Sequence, residues 1–149
     1  MGPAGHAGPA VREHQRRRAG LCGAEPLAHV VRRLGVSPHM VVLEITEHER
    51  VHDLVPLRDA LRQVHASGMR LALDDFGDGH SSLRLWSEVR PDFVKIDKYF
   101  TRDIGQHPEK LQMLQAIRGI AEVFGTTLVA EGIETSDELR ALRDLDISY

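Results

Sequence analysis

Cysteine is almost absent from this 149-residue sequence: Cys22 stands alone, which excludes an internal disulfide and any zinc site built on several cysteines. A reducing compartment suits that composition, and a cytoplasmic location is expected. Long apolar runs are missing too. No stretch approaches the roughly 20 residues that span a bilayer, and the N-terminus has no apolar signal core, so no membrane partner is expected. Nor is there an excess of one sign of charge. Nineteen Lys and Arg against 22 Asp and Glu give a formal charge of -3, which supplies no basic field of the kind that holds a nucleic-acid polymer. A partner must therefore be read from local sites.

What is present suffices for one domain with a core, since 42% of the residues are hydrophobic. Residues 1–23 are rich in Gly, Pro, Ala and Arg and show no apolar period, so a mobile leader is expected there. Its Arg16, Arg17 and Arg18 read as a solvated charge run. From residue 24 onward, helix-like and strand-like stretches alternate. Leu27, Val30, Val31 and Leu34 form a helical stripe ending at Gly35, followed by the strand-like run Met40 to Ile45. Leu57, Leu61 and Val64 form a second stripe, and Met69 to Asp74 the next strand. Ser81 or Ser82 caps a short helix through Trp86, ahead of a strand from Asp92 to Asp97.

The best-marked helix has Pro108 in its first turn, the stripe Leu111, Leu114, Ile117, Ala121 and Phe124, and Gly125 beyond its end. Thr126 to Ala130 then reads as a strand. Thr135 and Glu138 form a capping box for a last helix through Leu139, Leu142 and Leu145. Four strands alternating with helices predict a parallel sheet covered by helices, either doubly wound or part of a (β/α) barrel. A whole eight-stranded barrel takes about 250 residues.

Polar residues collect at the carboxyl ends of these strands: Glu44 and Glu47, Asp74 and Asp75, Lys95 and Asp97, Glu131 and Glu134. In a parallel sheet those ends share one edge, where sites are built. Any one such acid more often caps the following helix. Together they repel one another unless cations neutralise them, which points to an oxygen-ligated Mg²⁺, Mn²⁺ or Ca²⁺. Two such ions suit phosphodiester hydrolysis, with Lys95 adding a charge for the phosphate. The loop Phe76 to His80 contains Gly77, Asp78 and Gly79. Its glycines permit positive φ and close approach of a ligand, although a glycine-rich loop alone is equally an ordinary turn.

Four segments in this order resemble the EAL domain family: Leu43-Glu-Ile-Thr-Glu47, Leu73-Asp-Asp-Phe-Gly-Asp-Gly-His-Ser-Ser-Leu83, Asp92-Phe-Val-Lys-Ile-Asp97 and Leu128-Val-Ala-Glu-Gly-Ile-Glu-Thr135. The resemblance covers about residues 24–149. It implies an incomplete (β/α)₈ TIM-like barrel and hydrolysis of cyclic di-GMP to pGpG with Mg²⁺ or Mn²⁺. It further implies Glu44, Asp74 and Asp75 as metal ligands, Lys95 at the catalytic water or metal site, and Glu131 as general base. Glu47, Asp97 and Glu134 would support the site.

Asp78 and His80 stand where Thr and Tyr are usual in the family. The Glu-Ala-Leu segment, the strand bearing a metal-binding Asn and the last strand have no counterpart. The sequence thus reads as the C-terminal part of such a domain, inactive alone, with a second copy or another protein to complete the barrel. A catalytically inactive binding or regulatory module is the alternative.

Two other chemistries are weaker. Lys95 as a Schiff-base lysine is opposed by carboxylates that keep it protonated. His48-Glu-Arg-Val-His52 fits a zinc peptidase pattern, but Pro56 interrupts the helix that pattern needs. The purified chain is therefore expected to hold no stoichiometric zinc in metal analysis. Zinc that is bound and then lost in His48→Ala would reinstate the peptidase reading.

Overall fold

The computed structural model describes residues 27–46, 54–77 and 83–149. The leader expected over residues 1–23, the segment Glu47 to His52, and Asp78, Gly79, His80, Ser81 and Ser82 lie outside the described residues. The order is α1 (Leu27–Arg33), β1 (Val42–Thr46), α2 (Leu54–Ala66), β2 (Arg70–Phe76), α3 (Leu83–Val89), β3 (Phe93–Ile96), α4 (Lys98–Thr101), α5 (Pro108–Phe124), β4 (Thr127–Ala130) and α6 (Ser136–Asp144), with 3₁₀ turns at Pro38–Met40 and Ile104–Gln106. All four expected strands are present. The turn α4 and the two 3₁₀ turns are additions, too short to leave an apolar period in the sequence. Among the described residues, no helix is long and apolar enough to cross a membrane.

The strands form one parallel sheet in the order β1-β2-β3-β4. A doubly wound sheet reverses its order at a switch point, whereas a barrel adds each strand beside the last. The observed order is that of a barrel arc, which settles the choice left open by the alternation. Beyond α6 the chain returns to the same sheet, where Ser148 bridges Val129 in parallel.

Local signals explain the boundaries. α2 starts at Leu54, which puts Pro56 in its first turn, where a missing N–H costs no intrahelical bond. α5 has Pro108 at its start and ends on Gly125, whose left-handed φ of 68° lets its N–H bond back to the Ala121 and Glu122 carbonyls.

The core is built on strand residues Leu71, Leu73, Val94 and Ile96, with Leu114 and Leu142 from the helices. Each such burial contributes about 2 kcal/mol of apolar transfer. Trp86 of α3 is fully buried, with Phe76 and Phe124 meeting it edge-on at 5.1 and 5.7 Å. A buried indole N–H requires an acceptor. It finds Thr126 Oγ1 at 3.2 Å, whose hydroxyl in turn donates to the Pro91 carbonyl at 3.0 Å. At the amino ends of the strands, Asp92 Oδ2 accepts from the Leu71 amide at 2.8 Å and faces His65 Nε2 at 3.2 Å. This acid therefore joins β2, β3 and α2.

The capping box of α6 is present, with Thr135 Oγ1 accepting from the Glu138 amide and Glu138 from the Thr135 amide. Glu138 is only 4% exposed, and its carboxylate also accepts from the Asp103 and Glu134 amides, both at 2.9 Å. The bonds from Asp103 and Glu134 lower its pKa and outweigh the desolvation that raises it. A carboxylate favoured in this way stabilises the fold above the ordinary glutamate pKa, and that contribution is lost as pH falls through the depressed value. Glu138→Gln is therefore expected to cost about 2 kcal/mol near neutral pH. The deficit should vanish in acid when urea midpoints of the two proteins are compared across pH.

Candidate active site

The expected strand-end acids converge on one ammonium group. Lys95 Nζ lies 2.9 Å from Glu131 Oε1, 3.0 Å from Asp74 Oδ1 and 3.2 Å from Glu44 Oε1. Its four contributors come from four strands or their ends: Glu44 from β1, Asp74 from β2, Lys95 from β3 and Glu131 from the residue after β4. Glu44, Asp74, Asp75 and Lys95 sit within their strands, not at the ends as the sequence suggested. The long side chains of Glu44 and Lys95 let their head groups meet Asp74 between them.

Burial alone would shift Lys95 toward its neutral form, since the side chain is 14% exposed. The hydrogen bonds it donates to Glu131, Asp74 and Glu44 outweigh that effect, and its pKa stands well above the ordinary lysine value. A lysine held protonated in this way is a positioned charge and not a nucleophilic amine.

Asp75 joins the site through a backbone irregularity. Between Leu73 and Phe76, β2 advances three residues while β3 advances two, from Val94 to Ile96. That is a β-bulge, and Asp75 within it adopts a left-handed φ of 55°. Successive side chains on a regular strand point to opposite faces. The bulge allows adjacent aspartates to serve one rim, and the Asp75 amide donates to Asp74 Oδ1 at 3.0 Å. Asp is among the few residues that tolerate this φ, so the residue type suits the backbone as well as the chemistry.

Asp74, Asp75 and Glu131 each place one oxygen within 4.8 Å of the others. Opposed oxygens around an ion of calcium size stand about 5 Å apart and those around magnesium about 4 Å. The donor set, all anionic oxygens gathered within 4.8 Å of one another, suits a hard divalent cation by its chemistry. Glu44 bonds Lys95 but is not one of this oxygen triplet.

The remaining candidates are placed differently. Asp97 Oδ1 accepts from the Tyr99 amide at 2.8 Å and caps α4. Glu134 is exposed and pairs with Arg102 at 3.1 Å. Gly77 leaves β2 with φ 110°, and a Cβ there would overlap the Phe100 ring, so the close approach read from the sequence is to an aromatic side chain. Glu47, Asp78 and Gly79 fall outside the described residues. Sequence reading missed Thr101, whose hydroxyl meets the Glu131 carbonyl at 2.9 Å. Within the mixed sequence Lys98-Tyr-Phe-Thr-Arg-Asp103 a threonine gives no signal of its burial.

Comparison with known proteins locates this arrangement among characterised folds. The family model described as EAL domain matches residues 20–149. The chain is 40% identical over 103 residues to a probable cyclic di-GMP phosphodiesterase of Escherichia coli, PdeD, covering 69% of the chain and 19% of that protein. Among solved structures, BlrP1 of Klebsiella pneumoniae in complex with manganese and cyclic di-GMP superposes with a TM-score of 0.74 at 35% identity, over 81% of this chain and 31% of that one. The EAL domain of Mycobacterium smegmatis DcpA gives a TM-score of 0.75 at 36% identity, over 80% of this chain and 53% of that one. Curated relatives are spanned over only 14% to 22% of their length.

The ammonium at the centre makes a stability prediction. Lys95→Met leaves three neighbouring carboxylates without their shared cation. The expected loss is about 2 kcal/mol, discounted from a fully buried pair because Glu131 is 40% exposed. Added Mn²⁺ should raise the melting temperature of this variant more than that of the parent. Equal metal-induced shifts in a thermal scan would contradict this account of the cluster.

Proposed function

The chain belongs to the EAL domain family, and from that premise we propose that it carries part of a divalent-metal-dependent phosphodiesterase site for cyclic di-GMP. The observation that carries the reading is the oxygen triplet of Asp74, Asp75 and Glu131 beside the protonated Lys95. Asp74, Asp75 and Glu131 would hold the cation, Mg²⁺ or Mn²⁺, with Glu44, bonded to the same Lys95, as a further ligand. Such an ion, when bound, neutralises phosphodiester charge and lowers the pKa of water.

This chain's residues supply the rest. In the hydrolysis, water oxygen adds to phosphorus, one phosphorus–oxygen ester bond breaks, and the leaving oxygen takes a proton, giving linear pGpG. Lys95 offers a fixed positive charge for the phosphate. Glu131 is the most solvent-accessible of its three partners and so the one best placed to accept the water's proton. Asp97 and Glu134 steady the adjoining turns. The reaction suits a cytoplasmic setting. A second copy or another protein chain that adds strands beside β1 would complete the barrel and its ligand set.

The test is to mix the purified chain with cyclic di-GMP and Mn²⁺, measure binding by equilibrium dialysis and look for pGpG by chromatography. Mn²⁺-dependent binding is expected, lost in Asp74→Asn, with no pGpG from the chain alone. Binding that ignores Asp74→Asn rejects the site. Release of pGpG by the chain alone, cut about 100-fold in Glu131→Gln, would support the chemistry while overturning the expected need for a complement.

A further inference from the structure

Thr101 has no acid, base or ligand chemistry to offer, yet it lies fully buried, 0% exposed, against the backbone of Glu131. Its hydroxyl has one proton and two acceptors in reach. The Glu131 carbonyl is at 2.9 Å, and the Lys98 carbonyl in its own turn is farther, at 3.2 Å. Glu131 stands just past β4, where the regular ladder stops. Its amide donates to the Ile96 carbonyl at 3.2 Å, so β3 holds one side of this residue and Thr101 the other.

The neighbours repeat the pattern. Gly132, at φ 66°, lies so close to Lys98 that a Cβ would come within 2.9 Å of the lysine Cβ. Arg102 pairs with Glu134 at 3.1 Å, and the Asp103 amide donates to Glu138 at 2.9 Å. α4 therefore meets the residues after β4 at two places, and the two residues that follow α4 add contacts to Glu134 and to Glu138 of α6. These contacts are unequal. An exposed ion pair such as Arg102 with Glu134 contributes little. A threonine hydroxyl in the interior is different, because its loss leaves a carbonyl without its donor.

We propose that Thr101 is a positioning residue that fixes the Glu131 backbone and thereby aims its carboxylate at Lys95 and the Asp74, Asp75 rim. The inference rests on the reading of Glu131 as part of the metal site. Its physical basis is leverage: Glu131 keeps one backbone bond to β3, its side chain has several rotatable bonds, and a fixed backbone favours the rotamer that makes the 2.9 Å contact with Lys95.

Thr101→Val keeps the volume and removes the donor, whereas Thr101→Ser keeps the donor. On the full chain, two quantities are read: Mn²⁺ affinity by paramagnetic resonance of the free ion, and amide hydrogen exchange across residues 132–135 and in α5. Thr101→Val should weaken Mn²⁺ binding about tenfold and raise exchange at 132–135 about tenfold, with α5 unchanged and Thr101→Ser close to the parent. Unchanged exchange at 132–135, an equal rise throughout α5, or a serine variant that behaves like valine overturns the assignment. Asp74→Asn serves as the contrast, expected to lose Mn²⁺ without faster exchange at 132–135. If the parent binds no Mn²⁺, the reading of the site falls, and the exchange result alone sustains or ends the role of Thr101.

Discussion

Three carboxylates from three different strands or strand ends meet at one ammonium group, and that ion cluster is the constraint around which this fold is arranged. Glu44, Asp74 and Glu131 approach Lys95 within 3.2 Å. Without it, like charges at that separation would drive the strand ends apart, and with Asp75 nearby the site still carries a formal excess of three negative charges. Lys95 offsets only part of the repulsion. The surplus makes the rim a cation site by electrostatics before any particular ion is considered.

Such a cluster needs a backbone that delivers five head groups to one place. A parallel sheet with sequential strand order does most of this, because β1, β2, β3 and β4 lie side by side and all run the same way. Regular pairing would nevertheless turn Asp75 away from Asp74. The bulge in β2 overcomes the alternation, at the cost of a left-handed aspartate and an interrupted ladder with β3. That local cost is offset by a core that is regular elsewhere. Trp86, buried with its N–H satisfied, and the aliphatic strand residues leave the site as the place where sequence preference and backbone conformation diverge.

The sequence made the fold legible wherever an element was long enough to repeat. The stripe from Leu111 to Phe124, bracketed by Pro108 and Gly125, became α5, and Thr135 with Glu138 became the predicted cap. The four strands and their acids were equally readable, since short apolar runs that contain or precede an Asp or Glu carry both signals. Short and irregular features were not. α4 spans four residues, less than the window over which a helical period can be recognised. The bulge at Asp75 has no sequence mark, because Asp-Asp at a strand end reads the same whether one or both side chains face the rim. Glu138 was read as a cap, but its bond to the Asp103 amide joins residues 35 apart, a contact only the tertiary structure creates.

The irregular turn also explains how the two halves of the rim keep a fixed separation. Phe100 packs against Gly77, directly beyond the strand that carries Asp74 and Asp75. One residue later, Thr101 holds the carbonyl of Glu131. Both contacts radiate from α4, whose own start is fixed by Asp97 accepting from the Tyr99 amide. α4 thus touches the aspartate side through an aromatic ring and the glutamate side through a hydroxyl. A cation requires its oxygens at set distances, and strands joined only through their ladders would leave β2 and the segment after β4 related through β3 alone. The short turn adds a second mechanical link between them. Residues with no chemistry of their own, Gly77, Phe100 and Thr101, therefore belong to the site as much as the acids they space.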